Sequence, residues 1–300
     1  MYHSILVPLD GSGLSEHAVP AAATIAHASG AALHLTHVRV PAAKQRANTA
    51  SNTAESGTRD RDYLETIVER LAAEPDLKLT KTILDGEVVD ALAAYAAASA
   101  IDLIVMTTYG HGGLPYHRVG STTEALVRRI SLPILLIQPN ETAPDLGQPS
   151  TFQHVLVPLD GSHLAEQILE PALALGKLMH AEYTLLRIVE PLTLKDYDPV
   201  SAIAHLSERT NEEVRREAEE YLAAFAERLR ADGVRCTIRA VIDRQPAAEI
   251  LRAMHEPGID LLGMTTHGRA GLGRLLIGSV AYNVVREAEI PVLIYRPQAP

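Results

Sequence analysis

A single cysteine, Cys236, is the whole thiol inventory of the chain. One thiol excludes a disulfide framework and a thiolate zinc cluster, so a reducing compartment, the cytoplasm, is expected. Cys236 itself falls in a strand pattern, where an inert buried thiol is the default. Long apolar stretches are missing too. The longest are broken by Asp, Thr or Pro and fall short of the roughly 20 residues that a membrane helix requires, so no membrane association is expected. The amino terminus passes from Met1 into Ile5-Leu6-Val7-Pro8 without the charged start and apolar core of a secretion signal. Excess positive charge is absent as well. The formal net charge is −10, with 16 acidic against 11 basic residues in 1–150 and 21 against 16 in 151–300. Acidity spread this evenly opposes binding a phosphate polymer, so nucleic acid is not an expected partner. Any phosphate must be gripped locally, by backbone N–H groups or a few placed side chains.

What the chain does contain is an internal repeat. Leu6-Val7-Pro8-Leu9-Asp10-Gly11-Ser12 returns as Leu156-Val157-Pro158-Leu159-Asp160-Gly161-Ser162, at an offset of 150. Ile101-Asp102-Leu103 and Met106-Thr107-Thr108 return as Ile259-Asp260-Leu261 and Met264-Thr265-Thr266, now at 158. Gly110 with Gly268, Gly120-Ser121 with Gly278-Ser279, and Pro133 with Pro291 keep the second offset, so eight residues are inserted within the second copy. Around 140–152 the sequence turns to Pro, Asn, Asp, Gly and Ser, residues that break helices and strands. The expected domains are therefore 1–140 and 153–300, with 141–152 as linker.

Within each copy short β-rich runs alternate with longer amphipathic ones, the rhythm of parallel strands with crossover helices. Strands are expected at 3–9, 32–40, 78–84, 102–107 and 133–138, and again at 153–159, 182–189, 235–242, 260–265 and 291–296. Helical patterns occupy 14–29, 60–73, 164–179 and 200–231, while the aperiodic polar stretch 41–57 reads as a loop. The fold class is α/β: two tandem, doubly wound, Rossmann-like domains, each with a five-stranded parallel sheet.

Ligands of such sheets bind at the carboxyl ends of the strands, near the point where strand order reverses. Two features of each copy belong there. One is the Asp-Gly-Ser turn after the first strand, with Asp10 or Asp160 at its tip; its bland reading is a turn cap. The other is Thr107-Thr108-Tyr109-Gly110, nine residues, then Gly120-Ser121, matched by Thr265-Thr266-His267-Gly268, nine residues, then Gly278-Ser279. Glycine lets the backbone approach a ligand, and a Gly-Ser pair opening a helix leaves N–H groups free for an anionic oxygen. Neither copy contains Gly-x-x-x-x-Gly-Lys-[Ser/Thr], so the lysine-armed phosphate loop is excluded. Gly11-Ser12-Gly13 begins a dinucleotide fingerprint, but Glu16 takes its third glycine position and His163 replaces the second glycine in the other copy. His34 and His37, three apart on a strand, fall on opposite faces and do not make a metal pair. Arg128-Arg129 reads as the cationic end of a helix.

These residues resemble the universal stress protein family in its tandem form, over essentially the whole chain. The resemblance rests on the Gly-x-x-Gly, nine residues, Gly-[Ser/Thr] loop, the aspartate after strand one, and a strand-two ending such as Thr36-His37-Val38. It implies an ATP site in each half, with Mg2+ or Mn2+ as accompanying metal. Asp160, Ile188, Gly268, Gly278 and Ser279 take the adenine, ribose and phosphate roles in the second half, with Pro158, Leu159, Met264, Thr265, Arg269 and Val280 around them. In the first half the same roles fall to Asp10, Val38, Gly110, Gly120 and Ser121, with Pro8, Leu9, Met106, Thr107 and Thr122. Both copies depart from the pattern at its first glycine, which is Thr107 or Thr265. The first departs further, with Pro115-Tyr116-His117 where the second has Leu272-Gly273-Arg274, and the second half ranks as the better ATP site. His111, His267, Arg269 and Arg274 are loop residues that either touch phosphate or only solvate the loop.

The function expected is a cytoplasmic stress-response protein that binds adenine nucleotide as a sensor or regulator, with no assigned catalytic residue and at most weak hydrolysis. Two alternatives stand beside it. One is a slow ATPase or nucleotidyl-transfer enzyme, for which His267 is the candidate base. The other is a nucleotide-free interaction module that pairs through 132–138 and 290–296. Pairing is expected either as a homodimer or between domains of one chain.

Overall fold

The computed structural model describes residues 2–40, 53–71, 76–110, 119–191, 203–268 and 277–298, the side chains of 53–57 and 203–209 excepted. Two compact units result. The first comprises Met1–Thr151 with Glu289–Arg296, the second Phe152–Ala288 with Pro297–Pro300.

The first unit runs β1 (Ser4–Leu9), a 3₁₀ turn (Ser15–His17), α1 (Ala18–Ser29), β2 (Ala32–Arg39), α2 (Thr53–Leu71), β3 (Lys78–Asp85), α3 (Val88–Ala98), β4 (Leu103–Thr107), α4 (Ser121–Arg129) and β5 (Ile134–Ile137). The second runs β6 (His154–Pro158), α5 (His163–Glu166), α6 (Leu169–Leu178), β7 (Glu182–Val189), α7 (Ile203–Ala231), β8 (Cys236–Ile242), α8 (Pro246–Met254), β9 (Leu261–Thr265) and α9 (Ser279–Glu287). The last strand, β10 (Val292–Tyr295), belongs to the first unit.

In the first unit the strand order is β3-β2-β1-β4-β5-β10. Parallel pairing joins β1 to β2 from Ser4 and Ala32 onward, β2 to β3, β1 to β4 and β4 to β5. The second unit repeats the arrangement as β9-β6-β7-β8, again parallel throughout. In both, order reverses beside the first strand, between β1 and β4 and between β6 and β9. Near-continuous apolar strands demand cover on both faces. Accordingly Ile5, Leu6, Val7, Leu103, Ile104 and Val105 are wholly buried, as are Val155, Leu156, Val157, Leu261 and Leu262. The one acidic residue at the start of each fourth strand also finds its reason. Asp102 accepts the backbone N–H groups of His3 (2.7 Å) and Ser4 (3.2 Å), and Asp260 those of Gln153 (2.7 Å) and His154 (3.0 Å), so each carboxylate fastens the fourth strand to the first.

The α/β, doubly wound reading of both copies agrees with these units, with three local differences. First, β10 pairs antiparallel with β5, Leu293 opposite Leu135, so the closing strand of the second sequence copy completes the first unit's sheet. Secondly, α2 already begins at Thr53, inside the stretch 41–57 read as loop; residues 41–52 lie outside the described residues. Thirdly, the helix expected over 164–179 is broken between Glu166 and Leu169. Pro171 explains the break: it has no N–H to offer the carbonyl of Gln167, and its ring would crowd that carbonyl in a continuous helix. Pro20 imposes the same restriction in the first copy, where α1 starts only at Ala18 after a 3₁₀ turn.

The segment read as linker is tied down on the first unit. His17 reaches the Asn140 side chain (3.1 Å), Arg70 donates to the Pro144 carbonyl (3.0 Å), Ser150 N–H donates to Thr24 Oγ1 (3.0 Å), and Leu146 is buried.

Candidate functional site

Strand one of each unit ends in a turn that the Asp-Gly-Ser sequence dictates. Gly11 and Gly161 take φ of +84° and +85°, a left-handed conformation that side chains resist. The preceding aspartate closes the turn from within. Asp10 Oδ1 accepts the Ser12 N–H (2.9 Å) and hydroxyl, and Asp160 Oδ1 accepts the same groups of Ser162 (2.9 Å for the N–H). The bland role is thus filled, but by one carboxylate oxygen only. The other, Oδ2, lies under the loop that leaves the fourth strand, so close that a Cβ at Gly110 would collide with Asp10 Oδ2, and one at Gly268 with Asp160 Oδ2.

The second glycine of each loop is fastened to the fourth strand's end. Gly120 N–H donates to the Thr108 carbonyl (2.7 Å), and Gly278 N–H to that of Thr266 (2.8 Å). A Cβ there would press on the same carbonyls, at 3.2 and 3.0 Å. Each of these glycines is then the N-cap of a helix, α4 or α9, with no side chain of its own to cap it. The first intrahelical bonds come from Glu124 and Tyr282, so three N–H groups at each helix start have no intrahelical acceptor. With the positive end of the helix dipole behind them, they form an anion-favouring edge.

Both turns open on a cavity within their own unit. In the second, a volume of about 640 Å3 is bounded by Pro158, Leu159, Asp160, Ile188, Met264, Thr265, Gly268, Gly278, Ser279 and Val280. In the first, about 250 Å3 is bounded by Pro8, Leu9, Asp10, Val38, Met106, Thr107, Gly110, Gly120, Ser121 and Thr122. Every candidate site residue except Arg269 therefore stands on one of two cavity walls. Arg269 lies outside the described residues, as do His111, Pro115, Tyr116, His117, Leu272, Gly273 and Arg274. At the position of the missing first glycine, Thr265 turns its hydroxyl inward to the His267 carbonyl (2.7 Å), and Thr107 is buried. His267 also lines the larger cavity and is buried, its Nδ1 2.8 Å from Thr266 Oγ1.

Several wall residues were not among the candidates. Leu186, Val189, Glu190, Val214, Asp243, Pro246 and Ile250 are among those of the second cavity; Ser15, Thr36, Val88, Leu92 and Tyr109 are among those of the first. Strand alternation was the available signal, since Thr36 and Val38, like Leu186 and Ile188, share a face. The larger cavity is electrically divided. Asp160, Glu190 and Asp243 stand at the ends of β6, β7 and β8, opposite the N-terminus of α9 after β9. The Gln245 N–H (2.8 Å), and after it the Arg252 guanidinium (2.7 Å), hold the Asp243 carboxyl below the usual carboxylate range.

The two strand-two histidines face opposite sides. His34 Nδ1 meets Tyr95 of α3 (2.9 Å), whereas His37 Nδ1 meets the Leu9 carbonyl (2.8 Å) and its ring packs edge-on against Tyr63 of α2. Cys236 is buried in β8, and burial pushes its thiol pKa up. Among the described residues no cluster of three or more His, Cys, Asp or Glu is arranged to hold a metal ion, and no helix is long and apolar enough to cross a membrane.

Comparison with known proteins agrees with this fold. The model of the universal stress protein family matches residues 1–138 and again 151–296. A universal stress protein of Bacillus subtilis (strain 168), YxiE, is 30% identical over 149 residues, which cover 48% of this chain and 99% of that protein. Among solved structures, a universal stress protein from Archaeoglobus fulgidus DSM 4304 superimposes with a TM-score of 0.68 over 98% of this chain and 96% of its own, at 17% identity. A functionally unknown protein from Pseudomonas aeruginosa PAO1 does so with 0.68 over 99% and 93%, also at 17%. At that identity the structures speak for the fold, while the twofold match of the family model covers nearly the whole sequence. The chain is a member of the universal stress protein family, with two copies of the family's domain in tandem.

Proposed function

We propose that the protein binds adenine nucleotide at the carboxyl edges of its two sheets and acts in the cytoplasm as a sensor or regulator of a stress response, its ligand state being the signal. One observation carries the reading: in each unit the strand-one aspartate, the loop glycine above it and the uncapped helix N-terminus meet on the wall of a single cavity. The second cavity suits ATP. Its apolar walls, Leu186, Ile188 and Met264, accept a flat base, Asp160 can receive ribose hydroxyls, and the N–H groups of Ser279 and Val280 face the demand of a polyphosphate.

The site's chemistry also fits a divalent cation. Three carboxylates near a triphosphate would repel it, and Mg2+ or Mn2+ carried on the nucleotide offsets that repulsion; Asp160 and the Ser279 hydroxyl are the groups with oxygen to offer it. The single buried cysteine supports a reducing location.

Titration calorimetry of the full chain with ATP and Mg2+ tests the proposal. Gly278→Val should abolish the ATP-binding event and Gly120→Val should spare it, circular dichroism confirming that both variants fold. ATP that fails to bind the unaltered chain would refute the reading. A hydrolytic role has one observation in its favour, the buried His267 on the ATP-sized cavity. Multiple-turnover phosphate release that disappears in His267→Ala would establish it in place of the sensor.

A further inference from the structure

The two cavities are built on the same plan, and their differences are chemical as well as metric. At the strand-two position where the second copy has Leu186, the first has Thr36. Thr36 is fully buried, lines the first cavity, and its Oγ1 has no hydrogen-bond partner among the described residues. Its neighbours explain why. The cross-strand residue on one side is Pro8, and on the other is Thr82, whose hydroxyl is engaged with Tyr95 Oη (3.1 Å). A buried hydroxyl left unpaired destabilises the empty protein, and such groups call for a missing partner. Valine would fill the same space without that cost.

Size separates the cavities further. Pockets for drug-sized ligands run from about 300 to 1,000 Å3; the second cavity, about 640 Å3, lies within that range and the first, about 250 Å3, below it. Part of the difference is visible at the strand ends. Arg39 pairs with Asp85 across β2 and β3 at 2.9 Å, whereas the second copy has Val189 in place of Arg39, and Val189, Glu190 and Asp243 extend its cavity.

Resting on the adenine-nucleotide reading above, we propose that the first cavity is a distinct site for a nucleoside or nucleoside monophosphate, whose base the Thr36 hydroxyl hydrogen-bonds. Thr36 lies two residues deeper along the strand than Val38, on the cavity wall it shares with Val88 and Leu92 of α3, so a ligand whose phosphate sits at the N-terminus of α4 reaches it with its other end. That end is the purine edge, and a hydroxyl, which both donates and accepts, meets ring nitrogen or exocyclic amine equally. The chain then answers to two ligands, a triphosphate in its second half and a smaller adenosine compound in its first.

Calorimetry on the full chain with Mg2+, using ATP and AMP as probes, decides the matter. ATP should saturate at one per chain, and AMP should bind one further equivalent in the presence of saturating ATP. Thr36→Val should weaken that AMP event about fivefold, the value of one hydrogen bond, leave ATP affinity unchanged, and raise the thermal midpoint of the ligand-free chain. ATP filling two equal sites, AMP merely competing with ATP, or Thr36→Val lowering the ligand-free midpoint or leaving AMP affinity unchanged would each overturn the proposal while leaving nucleotide binding intact. Binding of neither probe would overturn both readings together.

Discussion

At Gly110 and Gly268 the packing depends on an absent side chain, because a carboxylate oxygen occupies the space where a Cβ would stand. The aspartate cannot simply swing away, since its other oxygen closes the turn onto Ser12 or Ser162. Gly268→Ala should therefore dislodge Asp160 and cost ATP affinity about tenfold, or roughly 1.4 kcal/mol. Gly263, in the middle of β9, is the control. A Cβ there meets Ala172, Ile168 and Val155 at ordinary distances of 3.4 to 3.8 Å, so Gly263→Ala should leave binding unchanged and stabilise the fold by about 0.5 kcal/mol in urea unfolding. His34 gives a pH dependence. Burial holds its pKa below the usual 6.5, so on acidification the unfolded chain takes up this proton first. Its contribution is whole above about pH 6.5 and is lost as pH falls from there through the folded-state pKa. Denaturant midpoints from pH 7 to 5 should fall less steeply in His34→Asn than in the unaltered chain. The aspartates and glycines were legible because each occurs twice at fixed spacing. Thr36 was not, since its unmet hydroxyl depends on Pro8 and Thr82, which only folding sets beside it.

Elements were legible where hydrophobic period decides them and less so where one residue interrupts. Nine of the ten strands lie within the segments that alternation and β-branching marked out, and β3 runs one residue past its segment, to Asp85, because apolar runs four to eight residues long have few other uses in an α/β chain. The start of α2 and the break before α6 escaped, the first because Thr53–Gly57 carries no apolar stripe, the second because Pro171 acts on a carbonyl four residues back. Helix α8 shows what sequence leaves implicit. Its Glu249 is almost wholly buried, yet Arg239 of β8 meets Oε1 at 3.0 Å and Arg252 meets Oε2 at 2.7 Å. The Arg239 contact clips α8 to β8 at the wall of the larger cavity, while Arg252, on α8 itself, pairs with Glu249 within the helix and reaches Asp243 just beyond β8. Both arginines are partly exposed, which screens the attraction. Glu249→Gln should accordingly cost about 1–2 kcal/mol in urea unfolding, an amount typical of charged hydrogen bonds, and loosen the cavity wall enough to weaken ATP.

Across the whole chain, duplication is plain in the sequence but the allotment of the last strand is not. Ile134-Leu135-Leu136-Ile137 and Val292-Leu293-Ile294-Tyr295 are four-residue apolar runs of nearly the same pattern, and such runs announce a strand without naming its neighbour. Pairing follows from what the first unit would otherwise expose. Without β10, β5 would be an uncovered edge whose first three residues are buried and uncharged, the kind of edge that recruits another chain. Antiparallel pairing with β10 meets that need, and Arg296 adds a hydrogen bond to the Arg128 carbonyl at the end of α4. A chain ending at Ala288 tests the argument. It should lose the cover of β5 and self-associate, giving a dimer or larger species by light scattering at concentrations where the full chain keeps one mass. Lysine in place of Leu135 or Leu136 would disrupt the core, so the rescue belongs at Ile137, which is only partly buried at the end of the strand. Ile137→Lys in the shortened chain should restore the smaller species, because a charge on an open edge blocks a second strand from adding while leaving the buried residues of β5 in place.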